Sequence, residues 1–265
     1  MKYFSEKILQ KKYLDKIFEN CETLSGDYDF YVVSSHPNQS GMLDLPEDNK
    51  PKVVFDLADE WHRVPFYYGR EDVKLIAKEY APFDYQKYDK IIPLPTFYNY
   101  DDSEYKEEDY KKESVLFLSM WETPSRKKLK NVLSQYEDAD GYEILWNDKF
   151  GSGYPVDVYN KKSKQSLISI CPNGYMSPEV SKVWESILNR NIIITTPRPN
   201  FTFYEDNKFF IYHDESEIPE IINQIISLEP EKIQSILDGN QKLFDKNVSP
   251  EGVSKIIKNK LKDLK

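Results

Sequence analysis

Short apolar runs recur along this chain between polar, proline-bearing turns, and they alternate with longer segments in which apolar residues return every three or four positions. The first pattern predicts buried strands, here over 28–34, 52–57, 91–95, 114–119, 142–146, 166–171, 191–196 and 209–212. The second predicts helices within 1–24 and over 72–80, from the 120s to Tyr136, from Pro178 to about Asn189, and over 215–227 and 230–244. Ser249 caps a last helix that carries Val253, Ile256, Ile257, Leu261 and Leu264 on one face, with lysines around it, and it is expected to pack on its own domain.

The stretch 166–198 is the most informative. Ser166-Leu-Ile-Ser-Ile-Cys171 is a buried strand, Pro172-Asn173-Gly174 a turn, and Pro178 opens a helix that leads into Asn191-Ile-Ile-Ile-Thr-Thr196. This is a βαβ unit. Glu179 and the residues from Lys182 to Glu185 fall near the helix N-terminus at the carboxyl end of the first strand, where open α/β sheets hold phosphorylated ligands.

The alternation of strands and helices breaks once, over the acidic, tyrosine-rich and aliphatic-poor segment 99–113. That segment is the expected linker. It divides the chain into residues 1–113 and 114–265, and the pattern on either side predicts an α/β protein of two Rossmann-like domains facing across a cleft.

Composition narrows the function. A net charge of −9 excludes an overall basic field for duplex nucleic acid or anionic lipid. The sequence has no apolar run long enough to span a membrane and no apolar core of a signal peptide, so a soluble, cytoplasmic protein is expected. Cys21 and Cys171 are expected as free thiols, and His36, His62 and His213 lack zinc-ligand spacing. Richness in Lys, Asn, Ile and Tyr is the composition of A+T-rich coding sequence, as in a virus, a phage or a low-GC bacterium.

Three segments together resemble the exostosin-like glycosyltransferases. Cys171-Pro172-Asn173-Gly174 is similar to their C-P-x-G turn, Lys182-Val-Trp-Glu185 to their R-x-x-E helix, and Asn191-Ile-Ile-Ile-Thr195 to the strand that follows. Lys182 stands where that family has Arg, and Arg190-Asn191 where it has Gly-Cys. Lys offers a point charge in place of a bidentate fork. The resemblance covers mainly residues 114–240 and implies the GT-B architecture, in which the N-terminal half meets the acceptor and the C-terminal half holds the nucleotide-sugar. It implies a UDP- or GDP-sugar donor, no required metal or other cofactor, and a glycan or other hydroxyl acceptor. Fucosyltransferase-like GT-B enzymes share a comparable turn, helix and strand. DNA bearing modified bases, as for phage enzymes, is the alternative acceptor, and a non-catalytic binding domain of the same fold is the alternative to an enzyme.

Displacing a diphosphate requires a base for the acceptor hydroxyl and positive charge for the leaving group. Glu60 and Asp59, at the carboxyl end of the 52–57 strand, are the expected bases, with Glu60 favoured for its reach. His62 is a rival base, or a packing residue beside Trp61. By the resemblance, Arg126 faces the diphosphate, helped by Lys127 and Lys128. Lys182 and the helix N-terminus after Gly174 add to that charge, and Glu185 suits ribose hydroxyls or pairs with Lys182. Arg198, between two prolines at a strand end, reaches the cleft or caps a helix. Asp138-Ala-Asp140 is formally a D-x-D, but it ends a charged helix rather than an apolar strand and reads as an acidic helix end.

Overall fold

The computed structural model describes residues 2–3, 10–24, 26–33, 45–57, 62–96, 114–119, 123–136, 140–146, 155–174 and 180–264. The chain separates into two compact units. The first holds Met1–Tyr100, Pro199–Glu205 and Phe244–Lys265, and the second holds Asp101–Arg198 and Asp206–Leu243.

In the first unit, β1 (Lys2–Tyr3), β2 (Asp29–Val33), β3 (Lys52–Asp56), β4 (Val73–Lys78) and β5 (Ile91–Pro93) form one parallel sheet in their sequence order. Helix α1 (Lys11–Cys21) joins β1 to β2, and Tyr13, Leu14, Ile17 and Cys21 recur on its buried face. The segment 72–80, expected as a helix, contains β4. Lys74 and Lys78 are spaced four apart like a polar helix face, but Lys78 is as fully buried as Val73, Leu75, Ile76 and Ala77, and the run serves as an interior parallel strand.

In the second unit, β6 (Ser114–Ser119) leads to α2 (Pro124–Leu133), β7 (Tyr142–Trp146) to α3 (Val156–Gln165), β8 (Ser166–Cys171) to α4 (Ser181–Leu188), and β9 (Ile192–Thr195) to the short β10 (Phe210–Ile211). All five strands are parallel, in the order β10-β9-β8-β6-β7. Counted along this unit that order is 5-4-3-1-2, so its direction reverses between β6 and β8. Side chains alternate across the sheet. Ile168, Ile170, Ile192 and Ile194 enter a core with Leu129 and Leu133 of α2, and with Ile218, Ile222 and Ile225 of α5 (Ile218–Ile226). The opposite positions Ser169 and Cys171 meet Ser186 of α4, whose hydroxyl donates to Ser169 Oγ at 2.8 Å and lies 3.6 Å from Cys171 Sγ. Helix α3 escapes a periodicity reading because 156–165 is largely polar and buries chiefly Tyr159 and Ser163.

Helix α6 (Pro230–Asn247) leaves the second unit at its end, and α7 (Pro250–Asp263) belongs wholly to the first. This differs from the expectation that the last helix packs on the domain preceding it. Its apolar face, Val253, Ile257 and Leu261, is buried, and Ser254 Oγ donates to Ile17 O of α1 at 3.1 Å. Tyr13 of α1 in turn donates to Val248 O, fixing the chain between the last two helices. Among the described residues no helix is long and apolar enough to cross a membrane.

Candidate functional site

A doubly wound parallel sheet opens a crevice where its strand order reverses, because the connections leaving the two adjacent strands go to opposite faces. In the second unit that place is the carboxyl end of β6 and β8. Five of the site residues expected from the sequence, Arg126, Gly174, Lys182, Glu185 and Arg198, are at or next to it.

Arg126 is the third residue of α2, placed by a helix start in which Thr123 is the N-cap, Pro124 occupies the first turn and the Thr123 hydroxyl accepts from Arg126 N at 3.2 Å. Its guanidinium reaches the other side of the reversal, where Nη2 donates to Asn173 O at 3.1 Å. Lys182, the second residue of α4, turns back under the same turn and donates from Nζ to Ile170 O at 3.0 Å. Arg198 comes from beyond β9 and donates from Nη2 to Cys171 O at 2.9 Å. Three cations from three connections therefore converge on the carbonyls of 170, 171 and 173, at the end of one strand. Thr195 and Thr196 brace the same turn, Thr195 Oγ1 donating to Cys171 O at 2.6 Å and Thr196 to the Asn173 side chain.

Their electrostatics are those of a place that favours an anion. Burial, with Arg126 close by, pulls the Lys182 ammonium down to about 8, although Cys171 and Glu185 favour its charge. Arg126 is itself lowered by burial. Gly174 is half-buried at the end of the described turn, and α4 begins after Val180, an N-cap without a side-chain oxygen to offer its first amides. Glu185 is 6% exposed and lies on the inner face of α4, close enough to the Tyr159 phenol to raise it well above its usual range together with burial. Its charge also favours the protonated form of Lys182 one turn earlier.

Two residues missed by the sequence reading complete the surroundings. Tyr212, one residue past β10, is 1% exposed, and its hydroxyl is raised by burial and by Glu215, while Arg198 and Arg126 oppose the rise. Glu215 is buried and accepts from Ser125 Oγ at 2.8 Å, tying the start of α2 to the end of β10. Position was the available signal. Tyr212 ends a short apolar run and Glu215 follows it, as Arg198 follows the run 191–196.

Glu60 and Asp59 lie outside the described residues, as do Glu179, Asp138 and the segment 99–113. Asp140 is exposed in the turn before β7, and among the described residues no group of three His, Cys, Asp or Glu is arranged to hold a metal ion. Lys127 and Lys128 are exposed on α2. Cys21 and Cys171 are both buried free thiols.

No protein-family model matches the chain, and no curated protein matches it in sequence. Solved structures do. One from a GtfA/B complex aligns with a TM-score of 0.55 and 14% identity over 95% of this chain and 60% of that one. A glycosyltransferase from Rickettsia africae ESF-5 aligns with a TM-score of 0.54 and 13% identity over 100% of this chain and 84% of that one. TarM aligns with a TM-score of 0.52 and 12% identity over 92% of this chain and 58% of that one. At such identities the likeness is one of fold, and the fold is α/β with two parallel sheets, as in GT-B glycosyltransferases.

Proposed function

We propose that the second unit binds the diphosphate of a nucleotide-sugar and that the protein is a glycosyltransferase moving the sugar to a hydroxyl of a glycan or other acceptor. The observation that carries this reading is the convergence of Arg126, Lys182 and Arg198 on the end of β8, beside the strand-order reversal. A diphosphate placed there offsets the mutual repulsion of the cations and takes hydrogen bonds from groups already oriented by backbone carbonyls. UDP- and GDP-sugars are the donor class, and the charge on the leaving diphosphate is met by side chains without a required metal ion. The turn at Cys171–Gly174, Lys182 with Glu185 on α4, and β9 support the exostosin-like reading of this half.

In an inverting reaction the acceptor hydroxyl gives its proton to a carboxylate as its oxygen bonds the anomeric carbon. The bond from that carbon to the diphosphate oxygen breaks, and its electron pair leaves with the diphosphate. Glu60 is the proposed base, with Asp59 holding its loop, and Glu185 is the proposed ribose ligand. A net charge of −9 favours a glycan over a DNA acceptor.

Thermal unfolding and calorimetry with UDP, GDP and their sugars, with and without EDTA, test the reading. Stabilisation that survives EDTA is expected, since a ligand of the native state raises the melting temperature by mass action. Loss of binding with EDTA overturns the metal-independent mechanism, and no binding by any nucleotide overturns the donor site. Binding without hydrolysis or transfer across acceptor panels leaves a binding domain in place of an enzyme.

A further inference from the structure

Helix α2 begins against an elementary electrostatic rule. A helix N-terminus carries partial positive charge and favours acidic residues in its first turn. The first turn of α2 has none, and Arg126, Lys127 and Lys128 follow directly on Pro124 and Ser125. Cations so placed are repelled by the helix amides and by one another. Local rules are broken in this way at functional sites, and another group then makes up the difference.

That group comes from a different connection. Glu215, in the short helical turn Glu215–Glu217 that precedes α5, is buried, and its Oε1 accepts from Ser125 Oγ at 2.8 Å. The acidic run around it sorts its carboxylates by direction. Asp214 is exposed and accepts from Ser216 N at 3.0 Å, and Glu217 Oε2 accepts from His213 N at 3.0 Å, so both serve their own turn. Glu215 reaches out of that turn to the start of α2, one residue before Arg126, whose guanidinium goes on to Asn173 O at 3.1 Å.

Burying a carboxylate is costly unless positive charge and hydrogen bonds offset it. Here the amino end of α2 supplies both. The buried Tyr212 hydroxyl registers the whole group: Glu215 raises its pKa, and Arg198 and Arg126 oppose the rise, so the carboxylate and both guanidiniums act on one atom. A negative charge this near the cations also opposes a diphosphate. Its presence is therefore explained by what it holds in place and not by attraction to the ligand.

We propose that Glu215 is a positioning residue of the donor site: through Ser125 it fixes the first turn of α2, and so holds Arg126 at the end of β8 where the diphosphate binds. This role rests on the donor site proposed above. Position and charge are separable by substitution. Glu215→Gln keeps a carbonyl oxygen for Ser125 and loses the charge that steadies the helix end, whereas Glu215→Ala loses both.

Calorimetry of the full chain with UDP, GDP and inorganic pyrophosphate, with melting temperature read alongside, tests the role. Glu215→Ala should weaken binding about tenfold and Ser125→Ala about threefold. Glu215→Gln should lower the melting temperature yet bind within about threefold of wild type, a split that a merely structural residue would not show. Because Glu215 acts through Arg126, its loss should add little once Arg126 is gone: the double variant Arg126→Ala, Glu215→Ala should bind within about twofold of Arg126→Ala alone. Where Glu215→Ala does not fold, Ser125→Ala takes its place in the same cycle. Unchanged affinity in Glu215→Ala and Ser125→Ala overturns the role and leaves the donor site standing. So does a Glu215→Ala loss that is equally large without Arg126, or a Glu215→Gln variant that folds but binds as weakly as Glu215→Ala. A wild-type protein that binds none of the three ligands is the separate failure of the donor site, and the role falls with it.

Discussion

The two sheets have the same number of strands, all parallel, yet only one of them changes direction. In the first unit the order is β1-β2-β3-β4-β5, each strand beside its successor, and among the described residues the connections between β3, β4 and β5 carry single 3-10 turns, Phe66–Gly69 and Tyr85–Lys87. In the second the order reverses between β6 and β8, and helices follow β6, β7 and β8. A reversal separates neighbouring connections and leaves a gap above the strand ends, whereas a monotonic order carries successive connections the same way and tends to fill that space. The polar chemistry follows this difference. The second unit gathers three cations at the end of β8, while the first pairs its two fully buried lysines with carboxylates, Lys78 with Asp56 and Lys52 with Asp48 and Asp72.

If that division of labour holds, the largest effect should come from the proposed base of the first unit. Glu60→Gln is expected to cut turnover by about 10²-fold or more while nucleotide affinity and melting temperature stay put, as removal of a general base does. A dead but folded Asp59→Asn beside an active Glu60→Gln would exchange their roles. Full activity in both would remove the base from this pair. Arg126→Ala should show the complementary pattern in the second unit, weakening UDP or GDP binding by about 1–3 kcal/mol for a lost charge-assisted hydrogen bond. Leu129 and Leu133, which anchor α2 in the core, are untouched by that change, so unfolding temperature should move little.

Much of the second unit was legible in the sequence because its information is local. The apolar strand 166–171, its proline turn and the Ile-rich strand 192–195 each announce themselves within a few residues, and Arg126, Lys182 and Arg198 sit at strand or helix ends where chain direction alone puts them near one another. The strand order is not local. Nothing in the run Ser114–Ser119 says that β8 and not β7 alone will be its neighbour, so the reversal that makes the crevice was invisible. Two further misses have distinct causes. Val73–Lys78 carries Lys74 and Lys78 four apart, the spacing of a solvated helix face, and nothing local shows that Lys78 is buried in a strand. Helix α7 carries an amphipathic face that fits any sheet, and its place in the first unit, bonded to α1 through Tyr13 and Ser254, depends on contacts more than 200 residues apart in the chain.

A pH series sharpens the comparison further, with two opposite signs from one group. Lys182 falls from 10.5 to about 8 in the unliganded fold, so between those values the unfolded chain binds more protons and this group makes stability rise with pH. Affinity runs the other way. A bound diphosphate favours the charged ammonium, so binding of a nucleotide-sugar should be strongest below about pH 8 and weaken severalfold per unit above it. Lys182→Met should be weaker at neutral pH and flat across the same range. Affinity that keeps its slope in Lys182→Met would assign the titration to another group.

The smallest effect concerns which unit owns the C-terminus. Tyr13 donates to Val248 O and Ser254 Oγ to Ile17 O, so each ties the α7 segment to α1 by a buried hydrogen bond. Tyr13→Phe keeps the ring, which is fully buried, and removes only the hydroxyl. The cost should be about 1 kcal/mol, rising toward 2 where the Val248 carbonyl is left unmet. Because α1 and α7 pack on the first sheet, hydrogen exchange should quicken in β2, β3 and β4 and leave β8 and β9 unchanged, with UDP or GDP affinity the same as wild type. Ser254→Ala should reproduce the pattern more weakly, since the same hydroxyl also donates to Pro250 O within its own helix. Faster exchange in β8 and β9, or weakened nucleotide binding in either variant, would mean that the C-terminal helix supports the second unit too, and the separation of the two units would then be one of packing but not of stability.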